Sequence, residues 1–191
     1  ANTLVARGHH VTIWTSGYFH QEKRHRSRRY KIIKVDDLLE IRLIPSLGYK
    51  NNIGIARLID HAQLSFNLRS ALKKSVSLPD VAFIGYPPIE FAYVAQKWLH
   101  RRSIPTMLDV KDLWPDIFIE PLPTLLKGIA KRLLFPYFNI SRTLMKETTA
   151  FCTMSKPYLD WIANAAQRRI TDIDIYAPLT SPVNTYSDKM L

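Results

Sequence analysis

The chain has 191 residues, a single cysteine and a formal charge of +11. That length suits one domain with a sizeable core. The lone thiol excludes an internal disulfide, and no stretch nears the roughly 20 uncharged apolar residues of a membrane-spanning helix. The charge favours anionic partners, whether nucleic acid, phosphorylated ligands or an acidic membrane surface.

Residues 1–8 read as the end of a helix capped by Gly8. His10–Ser16 (HVTIWTS) follows as a buried strand. A domain opening on the last turns of a helix is expected to have a first strand and loop before it. Phe19–Lys34 carries seven lysines and arginines against one acid, Arg24, Arg26, Arg28 and Arg29 among them. It is either a solvated loop or an anion-binding segment. Leu38–Ile44 predicts another strand. From 52 to 77 the pattern is helical, with Ile55, Leu58, Ile59, Ala62 and Phe66 sharing one face.

Asp80–Tyr86 predicts a strand closed by Pro87 and Pro88, and Ile89–Arg101 a helix. Pro105–Val110 predicts the strand that leads into DVKDLWPD, residues 109–116. Leu125–Lys146 predicts one long helix bent at Pro136. Its cations Lys127, Lys131, Arg132, Arg142 and Lys146 oppose Leu126, Ile129, Leu133, Leu134 and Tyr137. Such a helix either packs its apolar face on the core or lies on an anionic membrane. Thr149–Ser155, residues 156–166 and Asp172–Leu179 complete the series as strand, helix and strand. This alternation predicts an α/β domain, a Rossmann-like, mainly parallel sheet with helices on both faces. Ligands then collect beyond the carboxyl ends of the strands, at the loops after Ser16, Tyr86, Val110 and Ser155.

DVKDLWPD crowds acids at such a strand end. Asp109 and Asp112 have two residues between them, where a haloacid-dehalogenase phosphatase needs one between its aspartates. Oxygen ligands are too few for a metal site, and no metal is expected. Alternation places Asp109 and Lys111 opposite Val110 and Asp112. Asp112 therefore belongs at the rim, as a site residue or as a cap of the following turn. In TDIDIY (171–176) Asp172 and Asp174 begin a strand rather than end one, and read as a turn. Glu90 suits a helix start through the dipole, and Cys152 reads as a small buried hydrophobe. Neither standard phosphate-binding glycine loop occurs, nor any nucleic-acid-binding motif.

ANTLVARGHHVTIWTSG, the stretch from Leu78 to Phe118, and TAFCTMSKPYLDW occur in an order that resembles GT-B glycosyltransferases of family 4, of the bacterial cell-surface polysaccharide type. The resemblance implies half of a GT-B fold. Residues 1–179 would be the acceptor-binding domain, and residues 180–191 a linker toward a donor-binding domain. It implies a retaining enzyme that moves a sugar from a nucleotide-sugar donor to a lipid-linked or glycan acceptor, with no other cofactor. The implied place is the cytoplasm, peripheral on the inner face of the membrane. Where many relatives carry a histidine this chain has Lys111, so the catalytic expectation falls on Asp112, with Lys111 beside it. Ser16, Gly17, Tyr86, Pro87, Pro88, Asp109, Trp114 and Ser155 are expected around the acceptor. Arg24, Arg26, Arg28, Arg29, Lys127, Lys131 and Arg132 are expected to meet membrane or phosphate. Two alternatives stand beside this: a non-catalytic acceptor-binding subunit serving a separate donor-binding chain, and a basic nucleic-acid binder.

Overall fold

A computed structural model describes residues 1–51 and 54–178. In chain order the elements are α1 (Asn2–Val5), β1 (Val11–Ser16), β2 (Tyr18–Phe19), β3 (Arg24–His25), β4 (Lys31–Lys34), β5 (Leu39–Ile44) and α2 (Ile55–Lys73). They continue as β6 (Ala82–Tyr86), α3 (Ile89–His100), β7 (Thr106–Val110), a 3-10 turn (Asp116–Phe118), α4 (Thr124–Leu133) and α5 (Phe135–Glu147). Last come β8 (Ala150–Thr153), α6 (Lys156–Ala166) and β9 (Ile175–Tyr176). The protein is a Rossmann-like α/β fold.

β6, β7, β8 and β9 form a parallel sheet in that order. A second sheet has the order β1–β5–β4, with β1 and β5 parallel and β4 antiparallel at its edge. The run KIIK of β4 was hidden in the basic segment. Its two lysines are exposed, the composition that protects an edge strand from further pairing. β2 and β3 pair as a two-residue ribbon.

α2, α3, α5 and α6 each pack on the next and form a continuous layer. Alternation along β6 and β7 turns Ile84, Tyr86, Leu108 and Val110 toward that layer, where they join Phe151, Leu144 and Ile162 in the main core. The intervening positions Phe83 and Met107 point the other way, and Phe83 is 64% exposed. A smaller core gathers Ile44, Leu64, Leu68 and Leu72 against Trp14, Phe91 and Trp98.

Two helical expectations need correction. On α2 the buried row is Asp60, His61, Leu64, Ser65, Leu68 and Leu72. Ile55, Leu58, Ile59 and Phe66, the expected inner face, are exposed. Both rows have helical spacing, and docking on α3 and β5 chose the one carrying three polar residues. The long helix over 125–146 is two helices broken at Leu134, with Pro136 in the first turn of α5, where its missing N–H leaves no intrahelical bond unmade. α5 buries Ser141, Leu144 and Met145. α4 buries nothing.

TDIDIY forms the expected turn, with the Asp174 amide donating to the Thr171 carbonyl at 3.1 Å. Strand β9 is shorter than read from sequence, and Leu179 and residues 180–191 lie outside the described residues. The buried Asp174 carboxylate accepts from Arg168 Nη1 and Nη2 at 2.7 and 2.6 Å, and from the Phe151 and Thr171 amides at 2.8 Å each. Burial alone would raise its pKa, but Arg168 and these bonds together pull it down to about 2. Among the described residues no helix is long and apolar enough to cross a membrane.

Candidate functional site

Trp14, Thr15 and Ser16 at the end of β1, with Gly85, Pro87 and Pro88 at the end of β6, line one cleft of about 270 Å³. β1 belongs to the sheet β1–β5–β4 and β6 to the sheet β6–β7–β8–β9. The cleft therefore lies at the carboxyl ends of one strand from each sheet, the end at which parallel α/β sheets bind ligands.

α2 brings two polar side chains into this cleft, Asp60 and His61, each only 3% exposed. Asp60 accepts from the Ser46 hydroxyl and, at 2.7 Å, from the Gly48 amide. It thereby ties the loop after β5 to the helix. Gly48 has φ +79°, and an added Cβ there would strike the Tyr18 ring at 2.7 Å. A side chain is excluded on both counts.

His61 is held between aromatic rings, Tyr49 and Trp114, each with its centroid 6.2 Å away. Its Nε2 accepts from Arg57 Nε at 3.4 Å, and its Nδ1 faces Glu90 Oε2 at 3.9 Å. Both of those facing atoms are buried without a hydrogen bond among the described residues. The other Glu90 oxygen accepts from the Tyr137 hydroxyl. Burial lowers the His61 pKa, outweighing the pull of the Glu90 carboxylate, and Arg57 pushes the same way. With Nε2 turned to Arg57, a neutral His61 carries its ring proton on Nδ1, toward Glu90, and a ligand hydroxyl reaching these two atoms would accept from Nδ1 and donate to the carboxylate.

The sign of this shift sets a measurable pH dependence. A histidine with a folded pKa below its usual 6.5 resists protonation only when folded. Its contribution is complete above that value and declines as pH falls toward the folded pKa. Unfolding free energy measured from pH 7.5 to 5 should therefore fall more steeply for the wild type than for His61→Gln. The difference in slope should approach but not exceed about 1.4 kcal/mol per pH unit. Parallel curves would show that His61 titrates normally.

Of the residues expected around an acceptor, Ser16, Pro87 and Pro88 line the cleft. Three others stand behind its wall. Buried Tyr86 donates from its hydroxyl to the Trp114 carbonyl and lies 2.9 Å from Ser141 Oγ. Trp114 backs His61. Gly17 passes so close to Ser27 that an added Cβ would lie 2.3 Å from its carbonyl oxygen. Asp109 is on the sheet face opposite Tyr86, paired with Lys111 at 3.2 Å, and Ser155 starts α6. Lys111 and Asp112 are both exposed, and neither lines the cleft.

The basic residues separate in space. Arg24 pairs with Glu22. Arg26 reaches the cleft rim, where its Nη2 donates to the Ser16 carbonyl at 2.8 Å. Arg28 and Arg29 are exposed. Lys127, Lys131 and Arg132 are on α4.

Sequence reasoning passed over Asp60, His61, Tyr18 and Tyr49. The one signal they left was the register of Asp60 and His61 with Leu64, Leu68 and Leu72. Cys152 is buried as expected, and burial and nearby Asp109 raise its thiol pKa. Among the described residues no group of three or more histidines, cysteines and acids could hold a metal. A second cavity, about 310 Å³, lies between the 3-10 turn, α5 and α6, with Asp116, Arg142 and Trp161 in its wall.

No family model matches the chain, and no curated protein matches it by sequence.

Proposed function

We propose that this chain is the acceptor-binding domain of a retaining glycosyltransferase, taking a sugar from a nucleotide-sugar donor to a lipid-linked or glycan acceptor of a surface polysaccharide. The cleft at the carboxyl ends of β1 and β6 carries this reading. Its walls include Ser16, Pro87 and Pro88, which lie in the stretches that resemble family 4 enzymes. His61 and Asp60 offer an acceptor hydroxyl a hydrogen-bonding wall, and the aromatic rings beside them suit the apolar faces of a sugar. On this reading the protein works at the inner face of the cytoplasmic membrane, where a lipid-linked acceptor is held.

The test incubates the native gene product with a panel of nucleotide sugars and polyprenyl-diphosphate-linked glycans, and follows transfer by mass spectrometry. Transfer with at least one pair is expected. His61→Ala is expected to cut kcat about 100-fold, the loss typical of a removed acid–base group, with the circular dichroism spectrum unchanged, and Asp112→Asn tests the residue to which the resemblance points but which lies outside the cleft walls. Near-normal turnover in Asp112→Asn removes that residue from the site. Acceptor binding without transfer favours the non-catalytic subunit, and neither binding nor transfer overturns the proposal.

A further inference from the structure

α4 is a ten-residue helix with no buried residue. Leu125, Ile129 and Leu133 follow one another at intervals of four, so they form a single row along it. They are 90%, 59% and 74% exposed. Leu126 beside the row and Phe135 just past the helix end are exposed as well. Half-buried Lys127, Ala130 and Leu134 mark the side that rests on the protein, so the apolar row faces outward.

A row of large apolar side chains in water loses the stabilisation that burial would supply. The 3-10 turn before α4 in the chain also exposes Ile117 and Phe118, and exposed apolar patches of this kind mark interaction sites. Lys127, Lys131 and Arg132 are on the same helix. Lys127 and Arg132 enter no ion pair among the described residues, while Lys131 is close enough to Asp116 to oppose the rise that burial gives its carboxyl pKa. Exposed Arg142 and Lys146 follow on α5.

We propose that α4 is a bilayer-docking element. It lies in the plane of an anionic phospholipid surface with Leu125, Ile129 and Leu133 among the acyl chains. Lys131 and Arg132 then lie at headgroup level. The cations alongside the row single out an anionic bilayer as its occupant. A fluid bilayer receives such a row without a shaped pocket, and lipid phosphates neutralise the adjacent charges. Of the two basic segments, α4 sets its cations beside an apolar row along a helix, whereas the exposed Tyr30, Ile32 and Val35 of the other lie on and beside the edge strand β4. Arg24 and Arg26 of the other are engaged with Glu22 and the Ser16 carbonyl.

The test is vesicle co-sedimentation of the chain with phosphatidylcholine alone and with phosphatidylcholine containing phosphatidylglycerol, at low and high salt. Binding is expected to the anionic vesicles, to weaken at high salt, and to be at least tenfold weaker to the neutral ones. The double variant Lys131→Ala, Arg132→Ala should bind about 25-fold less tightly, at roughly fivefold per cation. The double variant Leu125→Glu, Leu133→Glu should lose binding. Both sets are exposed, so circular dichroism and the melting temperature should stay as in the wild type. Equal binding to both vesicle types overturns the proposal, as does retained binding by the leucine variant. A wild-type dimer that the leucine variant abolishes in sedimentation also overturns it, because the row then belongs to a protein interface. The vesicles carry no glycan and no nucleotide sugar, so failure here leaves the transfer reading untouched, and failure of transfer leaves this result standing.

Discussion

Replacing Asp174 with alanine is expected to destabilise the fold by about 3–5 kcal/mol, the cost of breaking a buried ion pair from one side. The carboxylate gathers five donors: both Arg168 nitrogens, the amides of Phe151 and Thr171, and the Thr171 hydroxyl. Without it the Arg168 guanidinium, stacked 3.8 Å from the centroid of the Phe151 ring, keeps its desolvation cost and loses its counter-charge. The end of α6 would then come away from β8 and β9. Urea denaturation measures the loss, and a midpoint within error of the wild type would show that Arg168 finds another partner.

The same carboxylate predicts acid sensitivity. Its folded pKa of about 2 lies below the ordinary aspartate value of about 3.9. The stabilisation is complete above the ordinary value and is lost as pH falls through the folded one. Asp174→Asn should therefore flatten the decline of stability between pH 4 and 2.

Trp114→Ala is the second large effect, expected at about 3–5 kcal/mol for an aromatic core truncation. The ring is 5% exposed and touches three partners. Its centroid is 4.6 Å from that of Phe118 and 6.2 Å from that of His61, and the Arg57 guanidinium sits 5.0 Å from it. The cavity left behind would open the wall behind His61, admit water and relieve the burial that holds its pKa down. A calorimetric melt reports the stability loss, and imidazole titration by NMR should show the His61 pKa moving up toward 6.5. Trp114→Phe should keep most of the stability. An unchanged His61 titration in the alanine variant would separate Trp114 from the cleft.

Much of the fold was legible because its strands announce themselves. HVTIWTS, LLEIRLI, DVAFIGY and PTMLDV are short apolar runs rich in β-branched or aromatic residues, set between turn residues. A sheet buried by helices requires such runs. The rule that ligands gather at strand carboxyl ends led from there to Ser16, Pro87 and Pro88. The acids of DVKDLWPD drew attention for their number. Their burial differs sharply, with Asp109 buried, Asp116 half-buried and Asp112 exposed, a distinction that composition does not carry.

By itself the sequence determined the α/β class, the positions of β1, β5, β6, β7 and β8, and the basic character of α4, because apolar periodicity and charge are local properties of the chain. Tertiary structure decided which of two helical rows on α2 faces inward. That choice placed Asp60 and His61 in the cleft, His61 next to Glu90, 29 positions along the chain. It also decided that α5 packs while α4 stands clear, although both have amphipathic spacing. Spacing shows that a helix has an apolar face, and only the neighbouring elements decide whether that face is covered.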